Sequence, residues 1–184
     1  MNKVCLILFL GLFILKNNAY SSDIILNSLK EGKKIIFIRH AIAPGNGDPD
    51  NFNINDCATQ RNLSKNGIIQ SKNIGLFFEK NKIKIDKVLS SEWCRCKDTA
   101  KIAFKKFKTF NALNSFYDEK FAANESNQIE DLKKYIKKWD SDKNLVLVTH
   151  YVLISEILNY GPSSGEIVVS NKNLNIIGSL EINY

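Results

Sequence analysis

Only two histidines occur in 184 residues, and each directly follows a strand-like segment: Ile36-Phe37-Ile38-Arg39-His40 and Leu147-Val148-Thr149-His150. An imidazole is neutral near pH 7. It can attack an electrophile through one ring nitrogen while a hydrogen bond holds the other, or it can pass a proton. A guanidinium beside it, here Arg39, offers a planar fork of donors to the oxygens of an anion. If both runs are central parallel strands, His40 and His150 lie at one rim of the sheet. That rim, outside the carboxyl ends of the strands, is where open α/β sheets bind ligands. Taken singly, each histidine is more simply read as a packed, hydrogen-bonded side chain. Their matched positions point instead to chemistry.

The elements that must place them alternate. Lys34–Ile38 is a continuous apolar run of strand length, followed by a turn-rich loop, Ala43-Pro44-Gly45-Asn46-Gly47-Asp48-Pro49-Asp50. Ser64 is placed to cap a helix with Gly67, Ile68, Ser71, Ile74, Gly75 and Phe78 inward, its small residues allowing close approach to a sheet. Lys87–Leu89 reads as a short strand. Trp93–Phe107 reads as a helix with Cys96, Thr99, Ala100, Ala103 and Phe107 inward, and Thr109–Leu113 as a third strand. Ile129, Leu132, Ile136 and Trp139 form a helical stripe, Asn144–Val148 a strand, and Val152–Leu158 a short helix. Gly165–Val169 and Leu174–Ile182 close the chain as late strands. This alternation predicts an α/β, three-layer sandwich with a mostly parallel central sheet and helices on both faces.

Composition sets the outer limits. With 44% apolar and 24% charged residues the chain is neither disordered nor a polytopic membrane protein. The net charge of +7 is dispersed, without interleaved aromatics or a docking motif, which argues against a nucleic-acid partner. Met1-Asn2-Lys3, the apolar run Val4–Leu15 and a small polar exit to Ser22 have the pattern of a secretory signal cut after Ala19; an uncleaved anchor is the alternative. The expected organisation is therefore a signal peptide, 1–19, and one domain, 20–184. No stable membrane insertion is expected after cleavage, and the setting is periplasmic or secreted. Disulfides persist there. Of Cys57, Cys94 and Cys96, the last two diverge on a helix, so Cys57 is expected to pair with Cys94, with Cys96 as the second choice. A zinc site built on Cys94-x-Cys96 lacks the usual two-residue gap, so no metal is expected.

Four segments occur in order: Arg39-His40, Asn62-Leu63-Ser64-x-x-Gly67-x-x-Gln70, Ser90-Ser91-x-x-x-Arg95-x-x-x-Thr99-Ala100 and Val148-Thr149-His150. Together they resemble the histidine phosphatase superfamily, the family of phosphoglycerate mutases, acid phosphatases and phosphohistidine phosphatases. The first loop continues as in the "Arg-His-Ala" type members. The resemblance implies a phosphoglycerate mutase-like fold, His40 as nucleophile forming a phosphohistidine, and Arg39, Arg95 and His150 around the phosphate. Those groups supply the positive charge that magnesium supplies elsewhere, so neither metal nor cofactor is expected.

The leaving alkoxide calls for a proton donor. Mutase-like members place a glutamate soon after the third strand, where this chain has Ser115. Asp118 is the first candidate donor and Glu119 the alternative, with Glu92 and Glu125 behind them. Asn46 in the first loop is expected to touch the phosphate. Arg61 is expected to meet an anionic part of the substrate, or else to pair with Asp56 or Asp98. Trp93 either lines the pocket mouth or packs. The expected partner is a phosphorylated small molecule or envelope sugar. The rivals are a phosphate-ligand binding protein of the same fold, which lacks turnover, and a mutase.

Overall fold

The computed structural model describes residues 15–184, with side-chain surroundings from residue 22 onward. Most of the expected signal, 1–14, lies outside the described residues. Positions 15–19 open a helix that the sequence reading does not place, α1 (Leu15–Glu31), which sinks Ile25 and Leu29 into the core. The remaining elements follow in the order β1 (Ile35–Arg39), α2 (Lys65–Lys80), β2 (Ile85–Ser90), α3 (Cys94–Phe104), β3 (Lys108–Thr109), α4 (Glu119–Ala122), α5 (Glu125–Lys138), β4 (Asn144–Thr149), α6 (Tyr151–Leu158), β5 (Ile167–Ser170) and β6 (Ile176–Leu180). Among the described residues no helix is long and apolar enough to cross a membrane.

The strands form one sheet in the order β3-β2-β4-β1-β5-β6. β3, β2, β4 and β1 run parallel, whereas β5 pairs antiparallel with β1, and β6 antiparallel with β5. The sheet is thus mostly parallel, as the alternation predicts. Central strands buried on both faces explain the continuous apolar runs. Side chains alternate across the pleat: Ile35 and Phe37 of β1 join Leu145 and Leu147 under α5 and α6, while Ile36 and Ile38 join Val146 and Val148 under α1, α2 and α3. Three layers result.

Several local details depart from the expected pattern. Ser64 caps α2 by accepting from the Gly67 amide, but Ile68 is 39% exposed and Gln70 takes its inward place. The small residues of α2 serve close approach to something other than the sheet. A side chain at Gly67 would strike the Ile42 carbonyl, and one at Gly75 the backbone of Ala103 in α3. α3 stops at Phe104 because Lys105 turns to φ 64°. Of the expected strand Thr109–Leu113 only Thr109 stays in the sheet, together with Lys108. Asn111–Leu113 curls into a 3-10 turn that buries Ala112 and Leu113.

Cys57 and Cys94 form a disulfide, and Cys96 is a buried free thiol. The bond joins the loop after β1 to the start of α3 across 37 residues. In the chain-entropy picture a loop of that length contributes about 4 kcal/mol. Cys57→Ser with Cys94→Ser is expected to lower Tm by about 8–16 °C for a chain of this size. The same shift should appear when the native protein melts under reductant. Equal melting with and without reductant would contradict it.

Candidate active site

The strand register builds the site. Arg39 and Thr149 are opposite one another at the ends of β1 and β4, and the His40 amide donates to the Thr149 carbonyl at 2.9 Å. His40 and His150 therefore leave the sheet side by side, with ring centroids 5.5 Å apart in an edge-on arrangement. β2 ends one step along the rim, where the Ser91 amide donates to the Val148 carbonyl. α3 starts just beyond, and its first turn delivers Arg95. These groups are nearly sealed from bulk solvent: His40 is 2% exposed, and Arg95 and His150 3% each.

The His40 ring has a defined tautomer. Nδ1 lies 2.9 Å from the Ala41 carbonyl oxygen, an acceptor only, so Nδ1 carries the proton and donates. Nε2 is left with a free lone pair, the form a nucleophile needs. His150 Nε2 lies 2.8 Å from Ser91 Oγ and 3.5 Å from Cys96 Sγ, which orients that ring and leaves its Nδ1 without a partner among the described residues. The loop beneath is braced by Gln70, whose oxygen accepts from the Ile42 amide while its nitrogen donates to the Ser164 and Ile182 carbonyls. Thr99 Oγ1 accepts from the Ala41 amide.

Seven residues singled out in the sequence line one cavity of about 310 Å³: Arg39, His40, Asn46, Arg61, Arg95, Asp118 and His150. The Nε atoms of Arg39 and Arg95 are buried without a hydrogen-bond partner among the described residues. A buried donor left unmade is costly, and two of them on cations that line one cavity suit an oxyanion ligand. Arg39 is otherwise steadied by donating Nη1 to the Pro162 carbonyl at 2.9 Å and by lying over the Tyr151 ring. Among the described residues no cluster of three histidine, cysteine or acidic side chains is arranged to hold a metal ion.

Other expectations need correction. Glu119 is exposed at the start of α4 and does not line the cavity; Asp118, one residue earlier, does. Glu92 lines a neighbouring cleft and is held by the Asn114 amide, while Glu125 sits in the first turn of α5 and lines neither. Arg61 pairs with neither Asp56 nor Asp98. Its guanidinium donates to the Gly47 and Ala43 carbonyls. Trp93 does not line the phosphate cavity: it packs on Phe52 and Phe121 and borders the neighbouring cleft instead.

The residue the sequence reading misses is Asp48. Its Oδ1 accepts from Arg95 Nη1 at 2.8 Å and from the Arg61 amide at 2.9 Å, and its Oδ2 accepts from Trp93 Nε1 at 3.0 Å. Burial pushes the Asp48 carboxyl up, but these donors and the Arg95 charge outweigh burial and hold it below the usual carboxylate range. It stays ionised and has no proton to give. Ser115, Tyr117 and Tyr151 complete the wall. Only an acid within the Gly47-Asp48-Pro49 turn hinted at this pair.

Burial, then the Arg95 guanidinium, hold both imidazoles well below the ordinary histidine value; at His40 the hydrogen bond to Ala41 opposes them without winning. In the unfolded chain each ring takes up a proton near pH 6.5. The folded chain takes up fewer, so stability is expected to fall as pH drops below about 6.5. The loss is up to about 1.4 kcal/mol per pH unit for each ring, until the folded values are reached. Tm measured from pH 7.5 to 5 should decline through that window; a flat profile would contradict neutral burial.

No family model and no curated protein sequence matches the chain. Solved structures do. A structure of the protein histidine phosphatase SixA complexed with tungstate aligns at TM-score 0.56 and 14% identity, covering 82% of this chain and 96% of that one. A phosphoglycerate mutase from Thermus thermophilus aligns at 0.57 and 13%, covering 82% and 99%. A phosphoserine phosphatase mutant from Entamoeba histolytica, in complex with phosphoserine, aligns at 0.51 and 20%, covering 74% and 89%. At these identities the likeness is one of architecture, and it spans nearly the whole of each neighbour. The chain adopts a phosphoglycerate mutase-like fold.

Proposed function

We propose that this chain is an exported histidine phosphatase, a phosphomonoesterase acting on a phosphorylated small molecule or envelope sugar without a metal ion. The observation that carries the reading is that His40, with its Nε2 lone pair, lines one cavity with Arg39 and Arg95, whose buried Nε atoms have no hydrogen-bond partner among the described residues. A phosphoryl dianion set between Arg39 and Arg95 has its charge neutralised and its phosphorus turned toward His40. His40 Nε2 forms the N–P bond as the ester P–O bond breaks. The leaving oxygen takes a proton from Asp118, which lines the cavity and is not paired with Arg95 as Asp48 is. Water then attacks the phosphohistidine, losing its proton to the Asp118 carboxylate; the N–P bond breaks and inorganic phosphate leaves. His150, held by Ser91, lines the cavity beside the transferring group.

The fold neighbours support the class: one holds tungstate, a phosphate-like oxyanion, and another phosphoserine. Export is supported by the Cys57–Cys94 disulfide, since such bonds persist in oxidising compartments. The test is turnover of a chromogenic aryl phosphate in the presence of a chelator. Undiminished turnover is expected. Phosphate binding without any hydrolysis would instead make the chain a ligand-binding protein.

A further inference from the structure

We propose that the large cleft beside the phosphate cavity is a leaving-group subsite that accepts a neutral, hydroxyl-rich group and disfavours an anionic one. This rests on the phosphatase reading above. The cleft measures about 910 Å³, within the range of ligand sites, and it shares Ser115 with the phosphate cavity. Ser115 therefore borders both spaces, so a leaving group that extends past it from the phosphate cavity meets the cleft. Trp93 borders the cleft while its Nε1 donates to Asp48 of the phosphate cavity, so one hydrogen bond ties the two walls together.

The lining is amide-rich. The side chains of Asn51, Asn124 and Asn127 border the cleft and make no hydrogen bond among the described residues. An amide offers both donors and an acceptor, the combination that matches a hydroxyl, which is donor and acceptor at once. Charge points the same way. The cleft carries the carboxylates Asp50, Glu92 and Asp131 against the single ammonium of Lys120. The phosphate cavity carries Arg39, Arg61 and Arg95 against Asp48 and Asp118. The cationic end draws in the phosphoryl group, and the acidic end repels a second phosphate or a nucleoside diphosphate. A sugar or polyol monophosphate satisfies both ends.

Kinetics of the full chain on a hexose monophosphate and the matching bisphosphate test this, with an aryl phosphate as reference. At low salt kcat/KM for the monophosphate should exceed that for the bisphosphate by at least about tenfold, narrowing as salt screens the cleft. Asp50→Lys with Asp131→Lys, both at exposed positions, should shrink that ratio about tenfold. Asn124→Ala with Asn127→Ala should raise KM for the monophosphate several-fold. Preference for the bisphosphate, or a ratio unmoved by the charge reversals, would overturn the subsite. Failure to hydrolyse any of the three, aryl phosphate included, would overturn the phosphatase reading instead.

Discussion

His40→Ala is expected to lower kcat on an aryl phosphate by about 10⁵-fold, the scale of losing a covalent nucleophile. The loss should fall on kcat rather than on binding. Arg39 and Arg95 keep their unpartnered Nε donors, so inorganic phosphate or tungstate should bind the variant within about threefold of the parent. The fold should persist, because the ring makes one side-chain hydrogen bond, to its own neighbour's carbonyl. Quenching a reaction with labelled substrate should trap a phosphoryl group on the native chain and none on the variant. Residual turnover within tenfold of the parent would show that another group, or water directly, attacks the phosphorus. A pH profile adds a second check. Because burial and Arg95 hold His40 well below the ordinary imidazole value, the acid limb of kcat/KM should lie below pH 6.5.

What could be read from the chain follows from the range of the interactions involved. His40 and His150 were legible because a strand followed by a histidine is a local pattern, and parallel pairing needs only register to set two such patterns side by side. The Cys57–Cys94 bond was legible because helical geometry sends Cys96 the other way, into the core. Asp48 was not, since Asn46-Gly47-Asp48-Pro49 has ordinary turn chemistry and its partner Arg95 is 47 positions away. Choosing between Asp118 and Glu119 likewise depended on where α4 begins, and element ends are the least predictable part of a chain. Gly67 and Gly75 were read as small, but only tertiary packing reveals that they yield to Ile42 and Ala103 rather than to strands.

Arg95→Ala should combine a kinetic with a structural loss, and the two can be separated. Losing one guanidinium fork from the phosphate cavity is expected to cost about 10³-fold in kcat/KM. Arg95 also neutralises Asp48, and both side chains are 3% exposed. Removing the cation strands a buried carboxylate, a change that typically destabilises by about 3–5 kcal/mol. Because the Arg61 amide and Trp93 Nε1 still donate to Asp48, the lower figure is the better expectation, a fall in Tm of about 6–12 °C. Asp48→Ala added to Arg95→Ala removes the stranded charge and should restore at least about 1 kcal/mol without restoring activity. In Asp48→Ala alone, Arg95 Nη1 becomes available to an oxyanion. Inorganic phosphate should then raise Tm more than it does in the parent, since the anion takes the place the carboxylate held. Strictly additive stabilities across the cycle, with equal phosphate responses in parent and variant, would mean that Asp48 and Arg95 are neighbours without being coupled.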